Sequence, residues 1–226
     1  MKTIVISGGS DGLGKALAKN LAAKGNKVII LAPNEAKLQA VTQEIGCAYK
    51  VCDVSNWQQV QATVAAIQKE YGNIDVLINN AGVAHGGPLE KAGPESIQQT
   101  FDVNVVGILF LTKAIIPLMK QAGDGYIINI NSQGGLYTKP ERALYAGSKW
   151  ALTGITKVLQ AELAPSNSKV TGLYPGAMEQ TMAKNGQRES QANSITYQEM
   201  SDAVDFILSR SANTVIPELG IKNIIN

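Results

Sequence analysis

The chain has 226 residues, 45% of them hydrophobic and 17% charged, with a net charge of +2. That length suits one α/β domain over residues 1–226, and a near-neutral charge with no basic run gives no support for nucleic-acid binding. Two cysteines, Cys47 and Cys52, and one histidine, His85, argue against a disulfide framework and a metal site; no stretch reaches membrane-spanning length and no signal peptide opens the chain, so the expected compartment is the cytoplasm.

In chain order, Thr3–Ser7 reads as a short buried strand. It runs into SGGSDGLG, Ser7 to Gly14, and then into a helical pattern that stops at Gly25. Strand, Gly-rich turn and helix make the first half of a nucleotide-binding unit. Gly8 permits the sharp turn, Gly12 lets the backbone approach a pyrophosphate at the helix N-terminus, and Gly14 allows close helix–strand packing. The contacts expected from this turn are Gly8, Ser10, Asp11, Gly12, Leu13 and Gly14.

Asn26–Ala32 is the second strand. It ends in Ala32-Pro33-Asn34, without the acid or base that selects between ribose hydroxyls and a 2′-phosphate in many dinucleotide folds. Asn34 can cap the helix Glu35–Ile45. Asp11 should lie near the adenosine ribose, where a carboxylate repels a 2′-phosphate by roughly 1 kcal/mol; this tilts the cofactor from NADP toward NAD.

Ala48–Cys52 is the third strand. Asp53 follows, placed either to meet an adenine amino group or to serve a turn. After a helix from Trp57 to Tyr71 comes strand four, Ile74–Ile78, and then Asn79-Asn80-Ala81-Gly82, whose small and amide residues suit a backbone passing close to a ligand. A long helix runs from about Pro94 to Gln121. Asn104 is polar within its apolar stretch and reads as a core amide or as a holder of buried water or backbone.

Strand five, Tyr126–Ile130, delivers Ser132. The next helix carries Tyr145 and Lys149 one turn apart on one face and stops before Pro165. A phenol titrates near ~10 in isolation. A nearby cation lowers that value and lets the phenol exchange a proton with an alcohol or carbonyl oxygen; a serine hydroxyl could hold the same oxygen. Lys169–Tyr174 is strand six, ending in Pro175-Gly176. Residues 177–198 are polar and read as a mobile segment over the site. A helix Glu199–Ser209 and a strand in the 215–224 region complete the chain. Alternating strands and helices specify a doubly wound parallel sheet.

The Gly8/Gly12/Gly14 turn, Asp53-Val54, Asn79-Asn80-Ala81-Gly82, Asn104, Ser132, Tyr145-Ala146-Gly147-Ser148-Lys149 and Pro175-Gly176 occur together in an order that resembles the classical short-chain dehydrogenase/reductase family. The likeness covers residues 2 to about 176 and runs weakly to the end. It implies a Rossmann fold with about seven strands in the order 3-2-1-4-5-6-7, NAD or NADP as cofactor, and hydride transfer to or from a small carbonyl or secondary alcohol.

In the roles the resemblance implies, Tyr145 is the general acid or base and Ser132 polarises the substrate oxygen. Lys149 lowers the phenol pKa and binds the nicotinamide ribose. Asn104 keeps a water in the relay. Asp53, Val54, Asn80, Ala81, Gly82, Pro175 and Gly176 line the cofactor, together with Tyr145 and Lys149. Position next to these motifs suggests His85, Gly134, Leu136, Tyr137, Ala177 and Met178 for the substrate pocket. The resemblance also implies a homodimer or homotetramer.

The chain departs from the family pattern at Asp11, Ala32 and Pro33, and at Glu179, where a threonine often contacts the nicotinamide amide; Thr181 stands two residues later. Two other readings are a dinucleotide sensor or scaffold without turnover, and a sugar-nucleotide epimerase or dehydratase, for which the chain is short.

Overall fold

The computed structural model describes residues 1–182, 188–190 and 194–224. Seven parallel strands form one sheet in the order 3-2-1-4-5-6-7: β1 (Thr3–Ser7), β2 (Lys27–Ala32), β3 (Ala48–Val51), β4 (Val76–Asn79), β5 (Gly125–Ile130), β6 (Ser168–Pro175) and β7 (Glu218–Ile221). The central strands are apolar at every second position on both faces. Ile4, Ile6, Val28, Ile30, Ile78 and Ile128 pack with Leu17, Leu21, Leu38 and Val204 on one side of the sheet. Val5, Ile29, Leu31, Leu77 and Ile127 pack with Val64, Ile67, Leu111, Ile115 and Leu159 on the other. Burial on both faces is what a parallel sheet with helical crossovers requires.

Helices α1 (Gly12–Ala23), α2 (Glu35–Ile45) and α7 (Tyr197–Leu208) cover the first face; α3 (Trp57–Tyr71), α5 (Gly107–Ala122) and α6 (Ala143–Leu163) cover the second. Their starts follow local chemistry. Asn34 and Asn56 accept the third amide of α2 and α3, and Thr196 and Glu199 form a capping box that starts α7 at Tyr197, two residues ahead of the expected position.

The long helix is not continuous. α4 (Pro94–Phe101) and α5 are joined by a π-helical stretch, Asp102–Val106, centred on Asn104. The run Pro94–Ala122 is, by length and composition alone, apolar enough to span a membrane, which corrects the expectation that no stretch is. In the fold Ile108, Leu111, Ile115 and Met119 of this run face the core. The segment expected to be mobile contains an antiparallel pair, Gln180–Met182 with Arg188–Ser190; residues 183–187 and 191–193 of that expectation lie outside the described residues.

Strand four starts two residues and ends one residue later than expected, so Asn79 is within the sheet, opposite Asn129 of β5. Its amide donates to Thr112 Oγ1 at 3.0 Å and to Asn129 Oδ1 at 2.9 Å, and Asn129 donates to Thr156 Oγ1 at 2.9 Å. This buried polar ladder joins α5, two strands and α6 across an otherwise apolar face. Replacing Asn129 by Leu strands the Asn79 donor in the core, which costs about 1–3 kcal/mol. The urea midpoint should fall accordingly; an unchanged midpoint would show that the ladder adds nothing to stability.

Candidate active site

The site forms at the carboxyl edge of the sheet, where doubly wound folds bind ligands. At its first corner, β1 turns at Gly8, whose φ of 66° suits glycine, and enters α1. A side chain at Gly14 would place its Cβ 2.3 Å from the Gly8 carbonyl oxygen and 2.5 Å from Asn80 Nδ2. Turn, helix and the strand-four loop therefore touch backbone to backbone.

Asp11 caps α1 by accepting the Gly12 N–H at 2.8 Å. In the same first turn the amides of Leu13 and Gly14 meet no acceptor among the described residues. The Leu13 side chain is in the core. A tight glycine cradle, free amides and a helix N-terminus fit a pyrophosphate. Ser10 lies in the turn, half-buried.

Asn80 is pinned under this cradle. It donates to the Ser7 and Gly8 carbonyls at 2.9 and 3.1 Å. Ser7, at the end of a buried strand, accepts the Asn80 and Ala81 amides on its hydroxyl at 3.0 and 3.1 Å; its role escaped the reading of the sequence. Asp53 performs the turn role, accepting the Ser55 amide and hydroxyl. Val54 packs on Gly107. A cleft of about 740 Å³ runs from Asp53 and Ser55 along Gln99, Asp102 and Val103, and neither Ser132 nor Tyr145 lines it. Lys37, in the first turn of α2, stands 3.9 Å from the Asp11 carboxylate, so the negative charge expected to repel a 2′-phosphate is offset.

The second corner is built on α6. Ser132 leaves β5 extended and accepts the Gly134 N–H at 3.0 Å, and its hydroxyl acts to lower the Tyr145 phenol pKa. Gly134 lies alongside, its Cβ position 3.5 Å from the Tyr145 ring. Lys149 is 5% exposed and donates from Nζ to the Ile130 carbonyl at 2.9 Å; Nζ is 5.9 Å from the Tyr145 ring centre. Burial lowers the lysine pKa to about 8.

Burial also raises the phenol pKa. The Ser132 hydrogen bond and the Arg142 guanidinium oppose that rise only in part. The expected depression of Tyr145 by Lys149 is therefore corrected: in this arrangement desolvation wins.

Asn104 joins the two corners. Its Oδ1 accepts the Val83 N–H at 2.8 Å, and its Nδ2 donates to the Val83 carbonyl at 2.9 Å and to Ser148 Oγ at 3.0 Å. Ser148 in turn donates to the Tyr145 carbonyl at 2.8 Å. The backbone-holding role is the one seen. Gly82, next to Val83, is exposed, and its Cβ position would be 3.3 Å from Asn104 Oδ1.

The residues placed in the substrate pocket divide. His85 Nδ1 is 3.0 Å from Thr100 Oγ1, so the loop rests on α4. Leu136 is half-buried and Tyr137 is 69% exposed. Met178 packs against the core beside Ile195. Beyond Pro175, Gly176 donates to the Ile221 carbonyl and Ala177 to Asn223 Oδ1. Glu179 accepts the Tyr197 N–H at 2.8 Å and so tethers α7. The side chain of Thr181 lies outside the described residues, and among those described no cluster suited to a metal is found.

A Rossmann sheet with a glycine cradle at one corner and a serine, tyrosine and lysine at the other defines a dinucleotide-type α/β protein. The short chain dehydrogenase family matches residues 2–191, and the chain belongs to that family of oxidoreductases.

Trans-4-hydroxycyclohexanecarboxylate dehydrogenase of Sinomonas cyclohexanicum is 33% identical over 92% of this chain and 86% of its own length. The alcohol dehydrogenase of Thermococcus sibiricus, solved with 5-hydroxy-NADP, superposes with a TM-score of 0.91 at 26% identity, covering 100% of this chain and 98% of that one. The 3-ketoacyl-(acyl-carrier-protein) reductase of Brucella melitensis, solved with NADH, gives 0.90 at 28%, covering 97% and 96%.

The seat of Lys149 has a measurable signature. Its pKa is lower folded than unfolded, so between about pH 8 and roughly 10.4 the unfolded state binds more protons and stability rises with pH. Below about pH 8 the buried charge carries its full penalty. Relative to Lys149→Met, the wild-type urea midpoint should gain ground from pH 7 to 9.5. A gap independent of pH would show that the ammonium is not desolvated.

Proposed function

We propose that the protein transfers a hydride between a nicotinamide dinucleotide and a small carbonyl or secondary alcohol, with Tyr145 as the proton donor in reduction and acceptor in oxidation. The observation that carries this reading is that Ser132 Oγ and the Tyr145 ring flank Gly134, 3.4 Å and 3.5 Å from its Cβ position, beside a buried lysine at the carboxyl edge of the sheet. Gly8, Gly14 and the free amides of Leu13 and Gly14 would hold the pyrophosphate, and the chain at Asp53 and Asn80 would border the adenosine. When bound, the cofactor supplies or accepts the hydride at the substrate carbon.

The chain's own residues manage the oxygen and its proton. Because Ser132 Oγ already accepts from Gly134, its own hydrogen is available to the substrate oxygen. Tyr145 is protonated at neutral pH, its phenol pKa raised by burial, and so holds the proton that reduction would use. Lys149 spends one donor on Ile130 and offers its others to the ribose and the proton path. Asn104 fixes the height of the Val83 loop against α6.

Tyr145→Phe removes only the transferable proton. Turnover should fall by at least ~10²-fold, the usual lower range for acid–base catalysis, while titration of nicotinamide fluorescence shows the cofactor still bound. Near-normal turnover would remove Tyr145 from this role. Cofactor binding without any turnover in the wild type, over a broad carbonyl panel, would favour a sensor or scaffold.

Both NAD and NADP are admitted, because Lys37 offsets Asp11. A lysine–phosphate contact at an exposed site is worth about 1 kcal/mol, or about fivefold in affinity. Lys37→Met should therefore weaken NADPH about fivefold more than NADH in the same titration. Equal changes would mean that Lys37 does not reach the phosphate.

A further inference from the structure

We propose that Arg142 makes this site selective for substrates that carry an anionic oxygen group, a carboxylate in the first instance, beside the reacting carbonyl or alcohol. The inference rests on the hydride-transfer reading and names the substrate class for it.

Arg142 occupies the N-cap position of α6, and its carbonyl accepts the Ala146 N–H at 2.7 Å. That places it one turn ahead of Tyr145, on the side of the helix that Tyr145 shares. Its side chain makes no capping bond. Among the described residues no carboxylate lies within ion-pair distance of it. Its charge is felt at the Tyr145 phenol all the same. The other cation of the site, Lys149, is 5% exposed and bound to the Ile130 carbonyl. Arg142 is half-buried and, of these two cations, is the one open to an incoming substrate.

The backbone that presents it is held at a cost. Glu141, the preceding residue, has a φ of 63°, a left-handed conformation that glutamate rarely adopts. The Gly87 N–H holds it by donating to the Glu141 carbonyl at 2.9 Å. The loop after β4 thus fixes the chain at the position from which Arg142 projects. A planar guanidinium with five donors matches a carboxylate through two parallel hydrogen bonds, and such a pair orients the carbon skeleton as well as binding it.

The test compares three oxo acids, pyruvate, acetoacetate and levulinate, with their methyl esters, in the wild type, Arg142→Met and Arg142→Lys. At least one acid should exceed its ester about tenfold in kcat/KM in the wild type. Arg142→Met should lower that acid at least ten times further than its ester, mainly through KM, and Arg142→Lys should restore part of the difference.

Calorimetric binding of the same acid to the cofactor-loaded protein gives a readout independent of turnover. Acid binding that needs Arg142, with no turnover of any probe, would sink the hydride-transfer reading and leave this one standing. Equal handling of every acid and its ester, a parallel loss of both in Arg142→Met, or no acid binding at all would overturn the anion selectivity.

Discussion

An ammonium group enclosed at the end of a β-strand is the constraint on which the Ser132–Tyr145 corner depends. Moving a lysine charge out of water costs several kcal/mol, and Lys149 recovers part of that through the Ile130 carbonyl at 2.9 Å. The unrecovered part appears as a pKa lowered to about 8. To reach that carbonyl, α6 must lie close against the turn that follows β5. Gly135 makes the approach possible: a Cβ there would sit 2.6 Å from Asn131 Oδ1 and 2.8 Å from the Lys149 carbonyl oxygen. Thr153 fastens the two, its hydroxyl lying 3.0 Å from the Gly135 carbonyl and 3.1 Å from that of Lys149. Ser132 precedes the turn and Tyr145 lies one helical turn before the lysine, so their meeting follows from where the lysine is seated.

The same geometry explains how the charges are shared out. A lysine near a tyrosine is usually read as the group that lowers the phenol pKa. Here desolvation acts on both groups in opposite directions, lowering the lysine and raising the phenol. The neutral forms of both are favoured by the same dry environment. Ser132 and Arg142 pull the phenol back toward ionisation. The proton of the resting site therefore belongs on the tyrosine.

Much of the frame was legible in the sequence because it rests on local pattern. Apolar runs marked β1, β2 and β5 to within a residue, and α2 and α3 span the ranges read for them, Glu35–Ile45 after Asn34 and Trp57–Tyr71. The strand order came from the family resemblance, since periodicity does not say which strands pair. What stayed hidden depends on side chains meeting across space. Asn79 looked like a residue beside a ligand and is instead the centre of a core ladder. Glu179 stood where the family has a threonine and proves to hold the first amide of α7. Lys37 is 26 positions from Asp11 in the chain, and only the packing of α2 near the head of α1 brings the two within 3.9 Å. The π-helical stretch has no signature that helix periodicity would reveal.

That stretch has a structural logic. A π turn inserts an extra residue into the helical ladder and re-aims the side chains that follow, which is why such turns recur at functional sites. Asn104 lies at its centre, fully buried, and bonds both polar groups of one residue, Val83, in the loop from β4. Through Ser148 it also reaches the carbonyl of Tyr145. A hydrophobic side chain could fill the same volume, but it would leave the Val83 amide and carbonyl without these partners, at about 1–3 kcal/mol for each buried group left unsatisfied. The amide thus ties the loop after β4 to the helix that carries Tyr145. A shift of the loop after β4 against α6 would break three hydrogen bonds at one residue, so Asn104 fixes how that loop sits against the helix that carries Tyr145.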